Sequence, residues 1–161
     1  MFKKLALVAA TSVLFIAGQA SAAVTPTGPI TVTVSGTVSQ SVTLTCTKTF
    51  NATVSGSTIT VHATGQNFGS GTCALVTFTS DWVVATTPTV SGGTLNVTNV
   101  NANTLTGTCA QTGANVISGA WTNGSPGSGA VAGSISGTSL GSPRACNLNL
   151  RLTTTPNVTI S

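Results

Sequence analysis

Apolar and polar residues alternate with a period of two along most of the chain after residue 29. Successive side chains of a strand point to opposite faces, so this pattern predicts strands with one buried face. β-branched residues, which strands favour, are frequent at these positions. No helical period with caps is present after residue 29. The apolar positions of the alternating runs are Ile30, Val32, Val34, Val42, Leu44, Cys46, Ile59, Val61, Ala63, Leu95, Val97, Cys146, Leu148, Leu150 and Leu152.

Turn-forming residues separate these runs. Many short strands, spaced about 8–12 residues apart, are typical of a β-sandwich or of a closed, barrel-like sheet. Of the two we favour the sandwich, and we predict an all-β, single-domain antiparallel β-sandwich over residues 30–161. The Gly, Ser and Pro clusters lie at residues 55–56, 69–71, 91–93 and 141–143, with a longer loop at residues 123–129.

The first 22 residues have the three zones of a secretory signal. Lys3 and Lys4 are followed by the apolar run 5–17 and then by small residues at positions 20–22. This order predicts a cleaved signal helix over residues 1–22. A membrane span is disfavoured, because the run is well short of the roughly 20 apolar residues that a bilayer requires.

Cleavage after residue 22 leaves 139 of the 161 residues, enough for one domain with a core. Pro26 and Pro29 predict an extended leader over residues 23–29. We expect no transmembrane segment in the mature protein. The expected location is extracellular or on the cell surface, with the periplasm as the alternative.

The mature chain carries very little charge. Its basic residues are Lys48, Arg144 and Arg151, and Asp81 is the one acidic residue of the whole sequence. Three scattered cations cannot neutralise a track of phosphates, so nucleic acid is excluded as a partner. Only 4% of all residues are charged, against about a quarter in an ordinary domain. Such a surface repels copies of itself and neutral surfaces only weakly.

Four cysteines, Cys46, Cys73, Cys109 and Cys146, lie in the exported part. An even number in an oxidising compartment predicts two disulfides. The spacings of 27, 36 and 37 residues are too wide for a zinc site, so we expect no metal. Three pairings are open. We favour Cys46–Cys73 with Cys109–Cys146, because these pairs link successive segments.

Residues for acid–base chemistry are scarce. The chain has one histidine, His62, one acid, Asp81, and no tyrosine. Residues 137–141 match the G-x-S-x-G elbow, but that elbow needs a following helix, with the acid and the histidine later in the chain. We therefore predict no catalytic residues and a protein that is not an enzyme. His62 is expected on the exposed face of a strand, and Asp81 at a turn or beside an arginine.

Trp82 and Trp121 are the large amphipathic rings of the chain. Each is more often a core residue than a binding residue, but both are candidates for ligand or interface contact. No calcium-type carboxylate cluster and no phosphate loop is present, so we expect no cofactor.

Segments around the cysteines and tryptophans resemble the PraB-type alkane oxidation activator family, which consists of small secreted bacterial proteins. In that family the residue before the first of these tryptophans is often proline, whereas here it is Asp81. The likeness covers nearly the whole mature chain. The matching segments are residues 42–47 with Phe50, 70–73 with Trp82, 107–109, 121–123, and Cys146 with 152–156.

The resemblance implies a secreted, non-enzymatic accessory protein that promotes alkane use. It would act by surface activity or emulsification, with a hydrocarbon or lipid interface as its partner. The first alternative is a structural subunit of a surface fibre or biofilm matrix. Such a subunit would self-associate by donating the alternating stretch 30–38 to a neighbour's sheet. A carbohydrate- or lipid-binding module that uses Trp82 or Trp121 is the third hypothesis.

Overall fold

The computed structural model of the protein describes residues 22–111, 117–124, 133–142 and 144–161. The predicted signal helix therefore lies outside the described residues. The same is true of most of the loop predicted at residues 123–129.

The described residues form thirteen strands and one short 3-10 helix, Gly71–Leu75. Turn residues bound most strands, as the sequence pattern predicts. The strands are β1 Val24–Thr25, β2 Gly28–Ser39, β3 Thr43–Ser55, β4 Thr58–Val61, β5 Thr77–Phe78, β6 Trp82–Thr89, β7 Gly92–Thr98, β8 Ala102–Thr104, β9 Gly107–Ala110, β10 Ile117–Thr122, β11 Gly133–Ser142, β12 Cys146–Thr155 and β13 Thr159–Ile160.

Eight of these strands form a closed antiparallel barrel. Strands β2, β3, β4, β6, β7, β10, β11 and β12 pair in chain order, and β12 then pairs with β2 to complete the ring. The all-β class is confirmed, but the predicted sandwich is wrong. A sandwich has two separate layers with open edge strands, whereas here the pairing of β12 with β2, from Asn147↔Ser39 to Thr155↔Thr31, closes a continuous ring. Period-two alternation is the same in both architectures, so it could not distinguish them.

A glycine permits the close approach of β2 and β12. Gly36 has a φ of +148°, and a Cβ atom there would lie 2.1 Å from the carbonyl oxygen of Asn149. Glycine in a strand often marks such a bend or close backbone approach. The long strand β2 can therefore curve around the barrel while keeping its pairing.

Inward-facing side chains fill the barrel. The residues at the predicted apolar positions of β2, β4, β7 and β12 are buried, which confirms the alternation there. An eight-stranded barrel is just wide enough for its side chains to fill it. Two predicted apolar positions at β3 are less buried. Val42 lies just before that strand and is 53% exposed, and Leu44 is partly buried.

The two ends of the barrel differ. At the end where β2 turns into β3, hereafter the disulfide end, a side sheet of β5, β8 and β9 extends from β11. At the other end, hereafter the terminal end, β1 pairs with β13. The predicted leader thus belongs to the fold, because Val24 is buried and donates its N–H to the carbonyl of Gly56.

Candidate functional site

Both disulfides lie at the disulfide end. Cys46 of β3 bonds to Cys73 of the 3-10 helix, and Cys109 of β9 bonds to Cys146 of β12. Two disulfides are therefore confirmed, in the pairing that we favoured. All four cysteines are buried. The first bridge ties a segment outside the barrel to the barrel wall, and the second ties the side sheet to it.

An apolar groove of about 100 Å³ opens beside these bridges. Three segments build it: the end of β2 with the start of β3, the 3-10 helix with the residue that follows it, and the turn between β8 and β9. We call this feature the apolar groove. Its lining residues are Val38, Gln40, Val42, Leu44, Thr72, Val76, Thr104, Leu105 and Thr106.

Large apolar side chains are exposed at this groove. Val42 and Leu105 belong to its lining and are 53% and 66% exposed, respectively. Leu75, which precedes the lining residue Val76, is 48% exposed. Single exposed apolar residues are ordinary, but a group of them around an apolar concavity marks a contact surface.

The polar side chains of the groove are largely occupied with one another. Gln40 donates from Nε2 to the backbone carbonyls of Thr108 and Arg144, at 3.2 and 2.9 Å. Its Oε1 accepts hydrogen bonds from the hydroxyls of Thr104 and Thr106, at 2.7 and 3.0 Å. These bonds fix the β8–β9 turn against β2. They also satisfy the side-chain amide of Gln40, so a ligand in the groove would contact mainly methyl groups.

Among the described residues that line the groove, none is charged. Arg144 contributes only its backbone carbonyl to the Gln40 network, and its side chain is exposed. Lys48 and Arg151 lie within β3 and β12, along the barrel wall. The groove therefore suits an uncharged, apolar partner.

The comparison with protein families bears on the whole chain. The family model described as alkane oxidation protein activator PraA/PraB-like matches residues 1–161. The chain belongs to this family. The family that the cysteine and tryptophan segments indicate is thus confirmed for this PraA/PraB-like protein. Searches of the curated proteins and of the solved structures gave no match.

Both tryptophans are in the core. Trp82 is 1% exposed and packs edge-on against Phe78, with ring centroids 4.8 Å apart. Its Nε1 has no hydrogen-bond partner in the described part of the chain. Trp121 is 4% exposed and donates from Nε1 to the carbonyl of Val158 at 3.2 Å. Contact of either indole with a ligand stays a prediction.

The two indoles line one small cavity inside the barrel. Its volume is about 20 Å³, and its walls are almost entirely apolar. A cavity of this size has room for about one water molecule. The barrel interior is therefore a packed core with no space for a long alkyl chain.

His62 and Asp81 meet on the outside of the barrel. Nδ1 of His62 lies 3.2 Å from Oδ2 of Asp81, and Nε2 of His62 lies 3.0 Å from the hydroxyl of Thr53. Asp81 accepts hydrogen bonds from the hydroxyl and the backbone N–H of Thr64, at 2.6 and 2.9 Å. These bonds from Thr64, followed by His62, lower the pKa of Asp81 from 3.8 to about 2. Its partners are thus Thr64 and His62 rather than an arginine.

We expect this carboxylate to make stability depend on pH only in strong acid. A pKa below the unfolded value stabilises the fold above about pH 4, and this stabilisation is lost as the pH falls through about 2. The Asp81 side chain is 38% exposed, so screening limits the effect to about 1 kcal/mol. Urea unfolding at pH 6 and pH 2 should show this loss in the wild type and little of it in Asp81→Asn. Equal losses in both proteins would contradict the assignment.

The residues that match the G-x-S-x-G motif do not form the strand-to-helix turn that a nucleophile elbow requires. Residues 137–141 lie in β11, where Gly137 pairs with both Ile117 and Leu148. The described residues contain no group of three or more His, Cys, Asp or Glu side chains that could hold a metal ion. Within the same residues no helix is long and apolar enough to cross a membrane.

Sequence reasoning missed the apolar groove. The alternating pattern places Val42 on a buried face, and it singles out neither Leu75 nor Leu105. The available signal is an isolated leucine between threonines, Thr104-Leu105-Thr106, a segment that the sequence analysis does not predict as a turn and that forms the β8–β9 turn. Leu105 and Val42 line the same groove only because the strands that carry them are brought together in the folded barrel, and the sequence does not show that strand pairing.

Proposed function

We propose that this protein is an exported, non-enzymatic accessory of alkane utilisation that contacts hydrocarbon through its disulfide end. The observation that carries the proposal is the exposure of Val42 and Leu105, which line an uncharged groove. Family membership supports a link to alkane oxidation. The two disulfides are compatible with export to an oxidising compartment.

The distribution of polarity supports contact from one end. The barrel wall exposes mainly hydroxyl and amide side chains, which stay hydrated, whereas the disulfide end exposes large apolar groups. Transfer of apolar surface from water to oil is favourable by roughly 25 cal/mol per Å². The protein would therefore orient with its disulfide end in the oil.

Low charge favours a dense layer at the oil surface. Only Lys48, Asp81, Arg144 and Arg151 are charged in the mature chain. Neighbouring copies consequently repel each other weakly. Emulsification follows from such a layer, because it lowers interfacial tension and covers the droplets.

The packed interior argues against a carrier that encloses its cargo. The internal cavity of about 20 Å³ does not accommodate an alkane. At the terminal end, Asn123 holds the C-terminal strand β13, since its amide donates to the carbonyl of Ile160 and its Oδ1 accepts from the N–H of Ile160. Hydrocarbon is therefore expected on the outside of the barrel, at the apolar groove.

Interfacial tension at a hexadecane–water drop tests this function. Wild type should lower the tension faster and further than an inert β-barrel of similar size. In the double variant Val42→Ser/Leu105→Ser, adsorption should weaken by about 2 kcal/mol, which corresponds to a roughly 30-fold higher concentration for equal lowering. Val90→Ser is the matched control, because Val90 is also exposed but lies at the terminal end.

In this experiment the Val90→Ser control should behave like wild type. If the double variant also equals wild type, the apolar groove is not the adsorbing surface. If wild type equals the inert barrel, direct surface activity is not the function of this protein.

A further inference from the structure

A fully exposed valine stands at the terminal end of the barrel. Val90 lies at the tip of the two-residue turn between β6 and β7, where Thr89 pairs with Gly92, and its exposed fraction is 108%. Tips of such turns usually carry Gly, Asn or Asp. A large apolar side chain at this position is unusual, and it projects away from its own core.

The fold holds this tip in place. The carbonyl of Ser91 accepts a hydrogen bond of 3.0 Å from the backbone N–H of Asn123. Gly92 lies so close to the backbone of Trp121 that an added Cβ atom would be 2.0 Å from its carbonyl oxygen. Val90 is therefore presented on a braced support, so binding it to a partner requires little ordering of the turn.

Val90 and the apolar groove lie at opposite ends of the barrel. Strand β6 pairs with β4 up to Ala85↔Thr58, beside the β3–β4 turn of the terminal end, and continues beyond it to Thr89. The groove includes Val38 and Val42, which flank the β2–β3 turn of the disulfide end. A protein with a projection at one end and a recess at the other can join head to tail.

The groove suits the side chain of a valine. Its volume is about 100 Å³, and it is lined by methyl groups around the hydrogen-bonded amide of Gln40. An apolar cavity of about 150 Å³ accepts a benzene ring, and the isopropyl group of valine is smaller than benzene. The lining residues that the structure describes are all uncharged, so they do not oppose the entry of an apolar group.

We propose that Val90 of one copy inserts into the apolar groove of the next copy, so that the barrels associate head to tail. Such a contact is heterologous and does not close on itself, so it extends into linear assemblies unless the rotation between copies forms a ring. It involves no exchange of strands. Strand β2, the stretch considered for donation, pairs with β3 and β12 of its own chain.

One inserted side chain makes a small interface, well below the roughly 1,200 Å² of a stable complex. Association is therefore expected only at high protein concentration, such as the upper end of a sedimentation series or a layer on a surface. This inference goes beyond the proposed function, but it uses the same groove. Hydrocarbon and Val90 would consequently compete for it.

Sedimentation equilibrium of the oxidised protein over a wide concentration range tests the inference. Wild type should show an average mass that rises with concentration, whereas Val90→Glu and Leu105→Glu should each stay monomeric. Val90→Glu keeps its groove and Leu105→Glu keeps its Val90. An equal mixture of the two should therefore associate again, but only into dimers.

The inference is overturned if wild type stays monomeric at the highest concentration, if Val90→Glu associates like wild type, or if the mixture stays monomeric. Leu105→Ser replaces Leu105→Glu if the latter does not fold. Failure here is distinct from failure of the proposed function, because Val90→Glu should still lower hexadecane–water tension like wild type.

Discussion

Replacement of Gly119 by alanine is expected to lower the free energy of unfolding by about 3 kcal/mol or more. Gly119 lies in β10, and a Cβ atom there would be 1.7 Å from the carbonyl oxygen of Ser134 and 2.7 Å from Cα of Ile135. Both atoms are backbone, so no side-chain movement relieves the collision, and β10 must separate from β11. Urea unfolding followed by the fluorescence of the core residues Trp82 and Trp121 measures the change.

Ala120→Val is the control for this effect. Ala120 is the next residue of β10 and is exposed, so a larger addition there should change stability by less than about 0.5 kcal/mol. A Gly119→Ala protein that is as stable as Ala120→Val would show that β10 and β11 are not so closely paired. The barrel ring would then be open at this position.

Removal of the Cys46–Cys73 bridge is expected to cost about 3.5 kcal/mol and to impair contact with oil. The bridge closes a loop of 27 residues, and loop-closure entropy gives the magnitude. It also ties the 3-10 helix, and with it Thr72 and Val76 of the groove, to β3. In Cys46→Ser/Cys73→Ser the amide of Val76, which donates to the carbonyl of Cys73, should lose protection from hydrogen exchange.

Cys109→Ser/Cys146→Ser provides the comparison. This bridge closes a loop of 37 residues, so the entropic cost should be similar, at about 3.8 kcal/mol. Strand β9, however, is also held by β8 and β11, so the groove should keep its shape. If both double variants lower hexadecane–water tension equally well, the 3-10 helix is not part of the adsorbing surface.

The alternation of apolar and polar residues was enough to predict the buried faces of β2, β4, β7 and β12. The parity of β12 predicted the burial of Cys146, Leu148, Leu150 and Leu152, because alternation is a property of the single strand. Whether those strands form a ring or two layers depends on which edges meet. That choice rests on the pairing of β12 with β2, more than 100 residues apart in the chain.

The candidate site was less predictable than the fold. Trp82 and Trp121 are candidates for ligand contact because tryptophans are rare and large, yet both lie in the core. The exposed apolar residues are ordinary valines and leucines. Their importance comes from tertiary placement, since Val42 and Leu105 are far apart in the chain and share one groove only in the folded barrel.

The groove connects the two proposed activities. At an oil surface it would contact hydrocarbon, and in a crowded layer without oil it would hold Val90 of a second copy. Addition of alkane should therefore shift associated protein towards monomers, as expected when two ligands compete for one site. The low charge of residues 23–161 allows both contacts without strong repulsion.

Methyl-resolved NMR of the protein with decane tests the central claim most directly. If hydrocarbon occupies the apolar groove, decane protons should give intermolecular Overhauser contacts to the methyl groups of Val42, Val76 and Leu105. The methyl groups of Leu95, inside the barrel, should give none. Contacts to Leu95, or to Val90 in place of the groove residues, would contradict hydrocarbon binding at the disulfide end.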